Sequence, residues 1–162
     1  MKKLVQAPSI LGLAASARSG MTIFLAAITL VSCKPKPPPA KVTFANVCST
    51  AYDPKRGVAQ DVTIEGYLAL PNVATACSST CLLQLAAAPG DKKNTLMAFV
   101  KVGGGPNQMD ALGATYKLSD LKVHDSTGKV LEIGKKVRLT GWRAGQGGLG
   151  CGINPDLIEA VQ

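Results

Sequence analysis

Five cysteines and a single histidine are the residues here whose types most readily do chemistry. Cys77 and Cys81 enclose Ser78-Ser79-Thr80, a Cys-x3-Cys spacing one residue longer than that of thioredoxin-like redox pairs. A zinc site needs further His or Cys ligands grouped nearby, and His124 is the only histidine. Ser119-Asp120 and His124 raise a hydrolase reading, but no serine stands in a Gly-x-Ser-x-Gly elbow. Gly103-Gly104-Gly105 is not followed by a helix start with Lys-Ser/Thr, which removes the phosphate-cradling loop of nucleotide hydrolases. Asp110, Asp120, Asp125 and Asp156 are dispersed and lack calcium-loop spacing. Acid–base catalysis needs groups that can be placed together. The expectation is a protein that is not an enzyme, with no metal and no cofactor.

The remaining cysteine, Cys33, stands at a change of composition. Before it, Lys2 and Lys3 make a basic start, and Met21 to Ser32 is an uncharged run of mostly Ile, Leu, Ala, Val and Phe. Twelve helical residues span about 18 Å, short of a hydrocarbon core of about 30 Å. A basic start, a short apolar run and small residues at its end form a secretory signal rather than a membrane span. After Cys33 comes Lys34-Pro35-Lys36-Pro37-Pro38-Pro39. The tetrapeptide Leu30-Val31-Ser32-Cys33 resembles the lipobox of bacterial lipoproteins. That resemblance implies removal of residues 1–32 as a signal peptide and acylation of Cys33 with palmitate-type chains. It further implies a protein anchored to the membrane rather than spanning it. Lys34 is not the aspartate that the family associates with inner-membrane retention, so the resemblance favours the periplasmic side of the outer membrane.

Loss of residues 1–32 removes Lys2, Lys3 and Arg18, leaving fifteen of the eighteen basic residues against ten acidic ones, a net charge of +5. Lys34, Lys36 and Lys41 lie in or beside the proline-rich stretch, so the rest is only mildly basic. Nucleic-acid binders concentrate more charge on one face; the linker lysines suit anionic headgroups beside an anchor. Residues 33–40 read as a polyproline-like tether, extended by about 3 Å per residue and holding the following domain about 20 Å from the lipid. Four cysteines remain beyond it, and an even count in an exported domain indicates two disulfides. Three pairings are possible for Cys48, Cys77, Cys81 and Cys151. The favoured one clips Cys77 to Cys81 and staples Cys48 to Cys151.

Residues 41–60 form an N-terminal extension in which Val42-Thr43-Phe44 is a short strand candidate and Tyr52 to Gly57 a turn by composition. Residues 61–162 read as β structure throughout. Asp61 to Leu70 alternates apolar and polar residues. Cys81 to Ala87, Asn94 to Val102, Lys135 to Arg143 and Cys151 to Val161 supply four more strands. The last is broken at Asn154-Pro155-Asp156. Leu118 to His124 and Lys129 to Ile133 flank Asp125-Ser126-Thr127-Gly128, a hairpin signal that leaves His124 exposed. The glycines between Gly145 and Gly152 suggest a mobile surface loop. Val62-Thr63-Ile64-Glu65-Gly66-Tyr67-Leu68 and Gly134 to Gly141 resemble the first and fourth strands of an OB-fold, where mid-strand glycines allow the bend around a barrel. Gln108 to Leu112 would then be the small helix of that fold. The expected fold is all-β, a small OB-like five-stranded barrel with an extra hairpin; the alternative is a disulfide-stapled β-sandwich.

Strand parity separates the faces. With Val62, Ile64, Leu96, Val100, Val137 and Leu139 inward, Tyr67, Phe99, Lys101, Arg138 and Trp142 point outward. Aromatics interleaved with cations on a sheet are how OB-folds hold oligosaccharides or single strands. The competing reading packs Phe99 and Trp142 as structural caps. The expected function is a lipid-anchored binding or adaptor module of the cell envelope, contacting an envelope protein or glycan. The alternatives are a single-stranded nucleic-acid binder at the envelope and, less strongly, a thiol–disulfide protein using Cys77 and Cys81.

Overall fold

Alternation along Val62–Ala69 (β2) sets the barrel wall: Val62, Ile64 and Leu68 are buried, whereas Thr63 and Tyr67 are half-covered and Glu65 is exposed. The structure is a computed structural model and describes residues 36–49, 61–71, 77–113, 115–146 and 150–162. Its remaining strands are Ala40–Lys41 (β1), Thr80–Ala86 (β3), Thr95–Val102 (β4), Gln108–Met109 (β5), Val123–His124 (β6), Val130–Leu131 (β7), Lys136–Gln146 (β8) and Gly150–Ala160 (β9).

The sheet closes on itself. β2 runs antiparallel to β3, with Leu68 opposite Leu85, and β3 antiparallel to β4, with Cys81 opposite Val100. β4 then lies parallel to β9 through Met97 and Gly152. β9 pairs with β8, and β8 returns to β2, so that Ile64, Leu139 and Ile158 form one inward row. The order β2-β3-β4-β9-β8-β2 is a closed five-stranded barrel of OB-like connectivity. The sandwich alternative is thereby overturned: β2 is paired on both sides, and among the described residues no second sheet faces it. Leu83, Leu85, Val100, Val137, Leu139, Ile153 and Ile158 fill the interior, where apolar area leaving water stabilises by about 25 cal/mol per Å².

Two mid-strand glycines occupy places where a side chain has no room. A Cβ on Gly66 would come within 2.7 Å of both the Ala86 carbonyl oxygen and Leu85 Cγ, and within 2.9 Å of Phe44 Cζ. Gly141 lies opposite Pro155, beside a register shift that gives β9 one extra residue, Asp156. The Asn154-Pro155-Asp156 sequence therefore bulges the strand rather than breaking it.

Three sequence expectations are corrected. First, Gln108 to Leu112 does not form a helix. Gln108–Met109 pairs in parallel with Lys101–Val102, because the Gly103–Asn107 turn brings the chain back beside the last residues of β4, beyond those that pair with β9. Gln108 Oε1 accepts from the Gly105 amide at 3.0 Å and holds that turn. The one short 3-10 turn described here is Leu118–Asp120. Second, the described part of the N-terminal extension belongs to the same compact unit as the barrel. Ala40–Lys41 pairs with Val62–Thr63, and Val42 and Val47 are buried in the core. The strand ends before Val42-Thr43-Phe44, because Thr43 starts a turn in which its carbonyl accepts from Asn46 and Val47. Third, the tether is not free over its whole length. Lys36 Nζ meets Asp61 Oδ2 at 2.6 Å, and the Ala40 amide donates to the Asp61 carbonyl at 2.8 Å. Cys33, the lipobox, Tyr52 to Gly57 and residues 147–149 of the glycine-rich loop lie outside the described residues.

The extra hairpin is present in shortened form as β6 and β7. Asp125 Oδ1 accepts from the Thr127 hydroxyl at 2.6 Å and from the Thr127 and Lys129 amides at 2.8 and 2.9 Å. These bonds, the Thr127 hydroxyl foremost, hold the Asp125 carboxyl below its ordinary range. Asn107 Oδ1 accepts from the Ile158 amide at 2.7 Å, and the Ser126 amide donates to the Ile158 carbonyl at 2.7 Å. Both turns are thus fastened to the barrel at Ile158 of β9.

Candidate functional site

The four cysteines beyond the tether form the favoured pairing. Cys48 is bonded to Cys151 and Cys77 to Cys81, with Cα separations of 5.7 and 4.3 Å. Cys81 is fully buried on the inner side of β3 and Cys77 half-covered, so this pair clips the β2–β3 connection to the barrel. Cys48 is exposed and follows the buried Val47, so its bond to Cys151 pins the N-terminal turn to the start of β9.

His124 is not exposed as expected. Its side chain is 12 % exposed, with Nε2 2.9 Å from Asp110 Oδ1 and Nδ1 3.2 Å from the Gly128 carbonyl oxygen. Both neighbours accept, and only the imidazolium donates from both nitrogens. The Asp110 hydrogen bond and then the Gly128 one raise the His124 pKa above its ordinary 6.5. With both nitrogens engaged, the ring ties the hairpin to Asp110 rather than activating a hydroxyl. A raised folded-state pKa gives stability that is complete below the unfolded value of about 6.5 and lost as pH rises through the folded value. The urea midpoint of the wild type is therefore expected to fall relative to that of His124→Asn as pH rises from about 6 to about 8. A difference that stays constant over that range would remove the imidazolium from the account.

The five residues assigned to the outer face separate into two groups. Arg138 and Tyr67 lie in the first. The cross-strand row Glu65-Arg138-Glu159 runs over β2, β8 and β9, with Tyr67 opposite Lys136 beside it. Arg138 donates from Nη2 and Nε to Glu65 Oε1 at 2.7 and 3.1 Å, and its Nη1 is 3.8 Å from Glu159. Lys136 Nζ lies 3.2 Å from Glu65 as well. Hydrogen bonds from Arg138 and Lys136 lower the Glu65 pKa. Arg138 is therefore already neutralised by protein carboxylates. Beside this row lies a cleft of about 370 Å³, lined by Val42 and Phe44 and flanked by Lys41, Glu65 and Arg138. Exposed ion pairs contribute at most about 1 kcal/mol, so Arg138→Ala is expected to move the thermal midpoint by no more than about five degrees. A much larger loss would make the row a structural element.

Phe99, Lys101 and Trp142 form the second group. Trp142 faces Asn154, which the parallel register places next to Phe99; Phe99 in turn opposes Leu82. Phe99 is only 9 % exposed, and its ring lies so close to Gly152 that a Cβ there would collide with it. It packs on the barrel, as in the competing reading. Trp142 is 46 % exposed. Lys101 extends into solvent 4.0 Å from Asp156. Arg138 and Trp142, four positions apart on β8, are separated by about 13 Å. The face is thus two patches, one saturated with charge and one holding an exposed indole.

A further cleft of about 530 Å³ lies between the 3-10 turn and β7, lined by Leu121, Val130, Leu131 and Ile133. Sequence reasoning missed both this cleft and the Lys36–Asp61 pair. Among the described residues no three His, Cys, Asp or Glu side chains converge as metal ligands, and no helix is long and apolar enough to cross a membrane. No protein-family model matches this chain, and no curated protein matches it in sequence.

Proposed function

We propose that this protein is a lipid-anchored adaptor of the cell envelope, held by an acylated Cys33 and binding an envelope protein or glycan through its barrel surface. The observation that carries the reading is a disulfide-bonded barrel following directly on a signal-like stretch that ends in Leu30-Val31-Ser32-Cys33. Disulfides persist in oxidising, exported compartments. Lys34 after the anchor favours the periplasmic side of the outer membrane. The single-stranded nucleic-acid reading loses support from the neutralised Arg138 and the packed Phe99, which leave no row of exposed aromatics between free cations among the described residues. The thiol–disulfide reading loses support from the burial of Cys81.

Intact mass of the protein extracted from membranes, with and without reduction, tests the anchor. The expected mass begins at Cys33, carries acyl chains and lacks four hydrogens until reduced. A mass that retains residues 1–32 overturns the anchor. Binding to a labelled single-stranded oligonucleotide at low salt tests the adaptor. Affinity that falls steeply with added salt would replace the adaptor reading with nucleic-acid binding.

A further inference from the structure

The path of paired strands ends at β7, whose far edge meets no other strand among the described residues. Val130 and Leu131 pair only with His124 and Val123 of β6. Backbone polar groups point alternately toward and away from a partner strand. The Lys129 carbonyl accepts from the Asp125 amide, so Lys129 and Leu131 turn their polar groups toward β6. Val130 and Glu132 therefore turn theirs away. The Glu132 carbonyl accepts from the Lys135 amide at 3.2 Å in the turn that leads to β8. That leaves the Val130 N–H, the Val130 C=O and the Glu132 N–H without a backbone partner among the described residues. Val130 itself is 45 % exposed.

Two clefts adjoin this edge and share Val130, Leu131 and Glu132 as a wall. The cleft of about 530 Å³ adds the apolar Leu121 and Ile133, with Lys122 beside them. The other, of about 370 Å³, adds Lys129, Lys135 and Lys136. One carboxylate, Glu132, thus stands among four lysines. It lies 3.9 Å from Lys135, and Lys136 is held by Glu65 at 3.2 Å. Lys122 and Lys129 are exposed and form no ion pair among the described residues. Asp125 feels the Lys129 charge, but it is buried and already accepts three hydrogen bonds. The edge therefore offers unpaired main chain, an apolar wall and a surplus of positive charge.

We infer that β7 takes up an extended segment of an envelope protein as one more strand, and that this segment carries acidic and apolar residues. An added strand lies about 4.8 Å from the edge it joins. Its main chain bonds to Val130 and Glu132, while its side chains select the partner. Apolar ones meet Leu121, Leu131 and Ile133, and carboxylates meet Lys122, Lys129 and Lys135. A second copy of this chain fits poorly. Two β7 edges paired antiparallel about Val130 set the two Lys129 side chains diagonally, about 7–8 Å apart, with like charge. Lysines on a short edge strand keep identical edges apart. The same lysines attract an acidic strand, so one device both excludes and selects. The inference deepens the adaptor reading and rests on it for placing the partner in the envelope.

Isotope-labelled full protein, its acylation read by mass, is titrated with a soluble peptide that alternates glutamate and valine. The Val130 and Glu132 amide resonances are expected to shift, and their hydrogen exchange to slow by at least about tenfold. A peptide alternating lysine and valine is expected to bind at least about tenfold more weakly. Val130→Pro removes an N–H that β6 does not use, a change that edge strands tolerate. It is expected to abolish peptide binding and to leave the urea midpoint nearly unchanged. Lys129→Glu with Lys135→Glu is expected to turn the preference toward the lysine peptide, and it carries the test if Val130→Pro does not fold. Absence of shifts at Val130 and Glu132 overturns the inference. So does equal binding of the two peptides, or undiminished binding by folded Val130→Pro. The same shifts on raising protein concentration without peptide assign the edge to a second copy and overturn it. The same shifts with a chito-oligosaccharide, and none with the peptide, assign the edge to a glycan and overturn it. Peptide binding by protein without acyl chains supports the added strand while overturning the anchor; acylated protein that binds no peptide does the reverse.

Discussion

Replacing Cys48 and Cys151 together by serine is expected to lower the unfolding free energy by about 4 kcal/mol and the thermal midpoint by more than about 10 °C. The bond closes a sequence separation of 103 residues, and a loop of about 100 residues corresponds to about 4.7 kcal/mol of denatured-state entropy. The Cys77–Cys81 bond spans a separation of four, for which the same relation gives only about 2 kcal/mol. The native state contributes as well. Cys48 follows Val47, which is buried at the barrel end, and the Asn46 side chain accepts from the Thr43 amide at 2.7 Å to shape the same turn. Without the bond, the burial of Val42 and Val47, the packing of Phe44 on the core and the Arg143 Nη1 donation to the Ser49 carbonyl at 3.2 Å still hold that turn. Urea unfolding of the double variant beside Cys77→Ser/Cys81→Ser checks the ranking. If the short clip proved the more important, the long bond would be dispensable to a turn already held by packing. Mild reductant should also reach the exposed Cys48 before the buried Cys81, as trapping of free thiols against time would show.

The strands were legible because their period is simple. Val62, Ile64 and Leu68 alternate with Thr63, Glu65 and Tyr67, and the turns between strands carry glycine, proline and aspartate. Closure was legible only through Gly66 and Gly141, whose position inside strands needed a physical cause. The error at Gln108 to Leu112 has the opposite origin. Gln-Met-Asp-Ala-Leu suits a helix locally, and only the end of β4 that extends beyond its pairing with β9, created by folding, turns Gln108 and Met109 into a strand. The same limit applies to the outer face. Parity assigns Phe99 and Arg138 outward, but outward is not the same as available. Whether a ring lies on Gly152, or a guanidinium between Glu65 and Glu159, is decided by neighbours far along the chain. His124 illustrates it too: a hairpin position looks exposed until Asp110, fourteen residues earlier, is found beside it. The Lys36–Asp61 contact was the least visible, since a proline-rich stretch reads as a spacer wherever its end is fastened.

Gly141→Ala is expected to destabilise the barrel by about 3 kcal/mol or more, the largest effect of any alanine placed at a described glycine. A Cβ at this position would run into the Asn154 carbonyl and the Pro155 Cα. Both are backbone atoms, so no rotamer change relieves the contact; β9 itself would have to move away from β8. That movement would loosen the pairing on both sides of the bulge, where Thr140 faces Leu157 and Trp142 faces Asn154. Gly66→Ala meets the Leu85 and Phe44 side chains as well as the Ala86 carbonyl, and part of that clash can be relieved by repacking. Gly90→Ala has open space but a φ of 74°, for which the cost is about 1–2 kcal/mol. Gly104→Ala, with only Asp110 Oδ1 nearby at 3.8 Å, should be close to neutral. The ranking follows from what stands opposite each α-carbon: rigid backbone at Gly141, partly yielding side chains at Gly66, strained φ alone at Gly90. Urea midpoints of the four variants test it. Gly141→Ala behaving like Gly104→Ala would mean that the bulge at Asp156 absorbs the displacement and that β8 and β9 close the barrel without a fixed register.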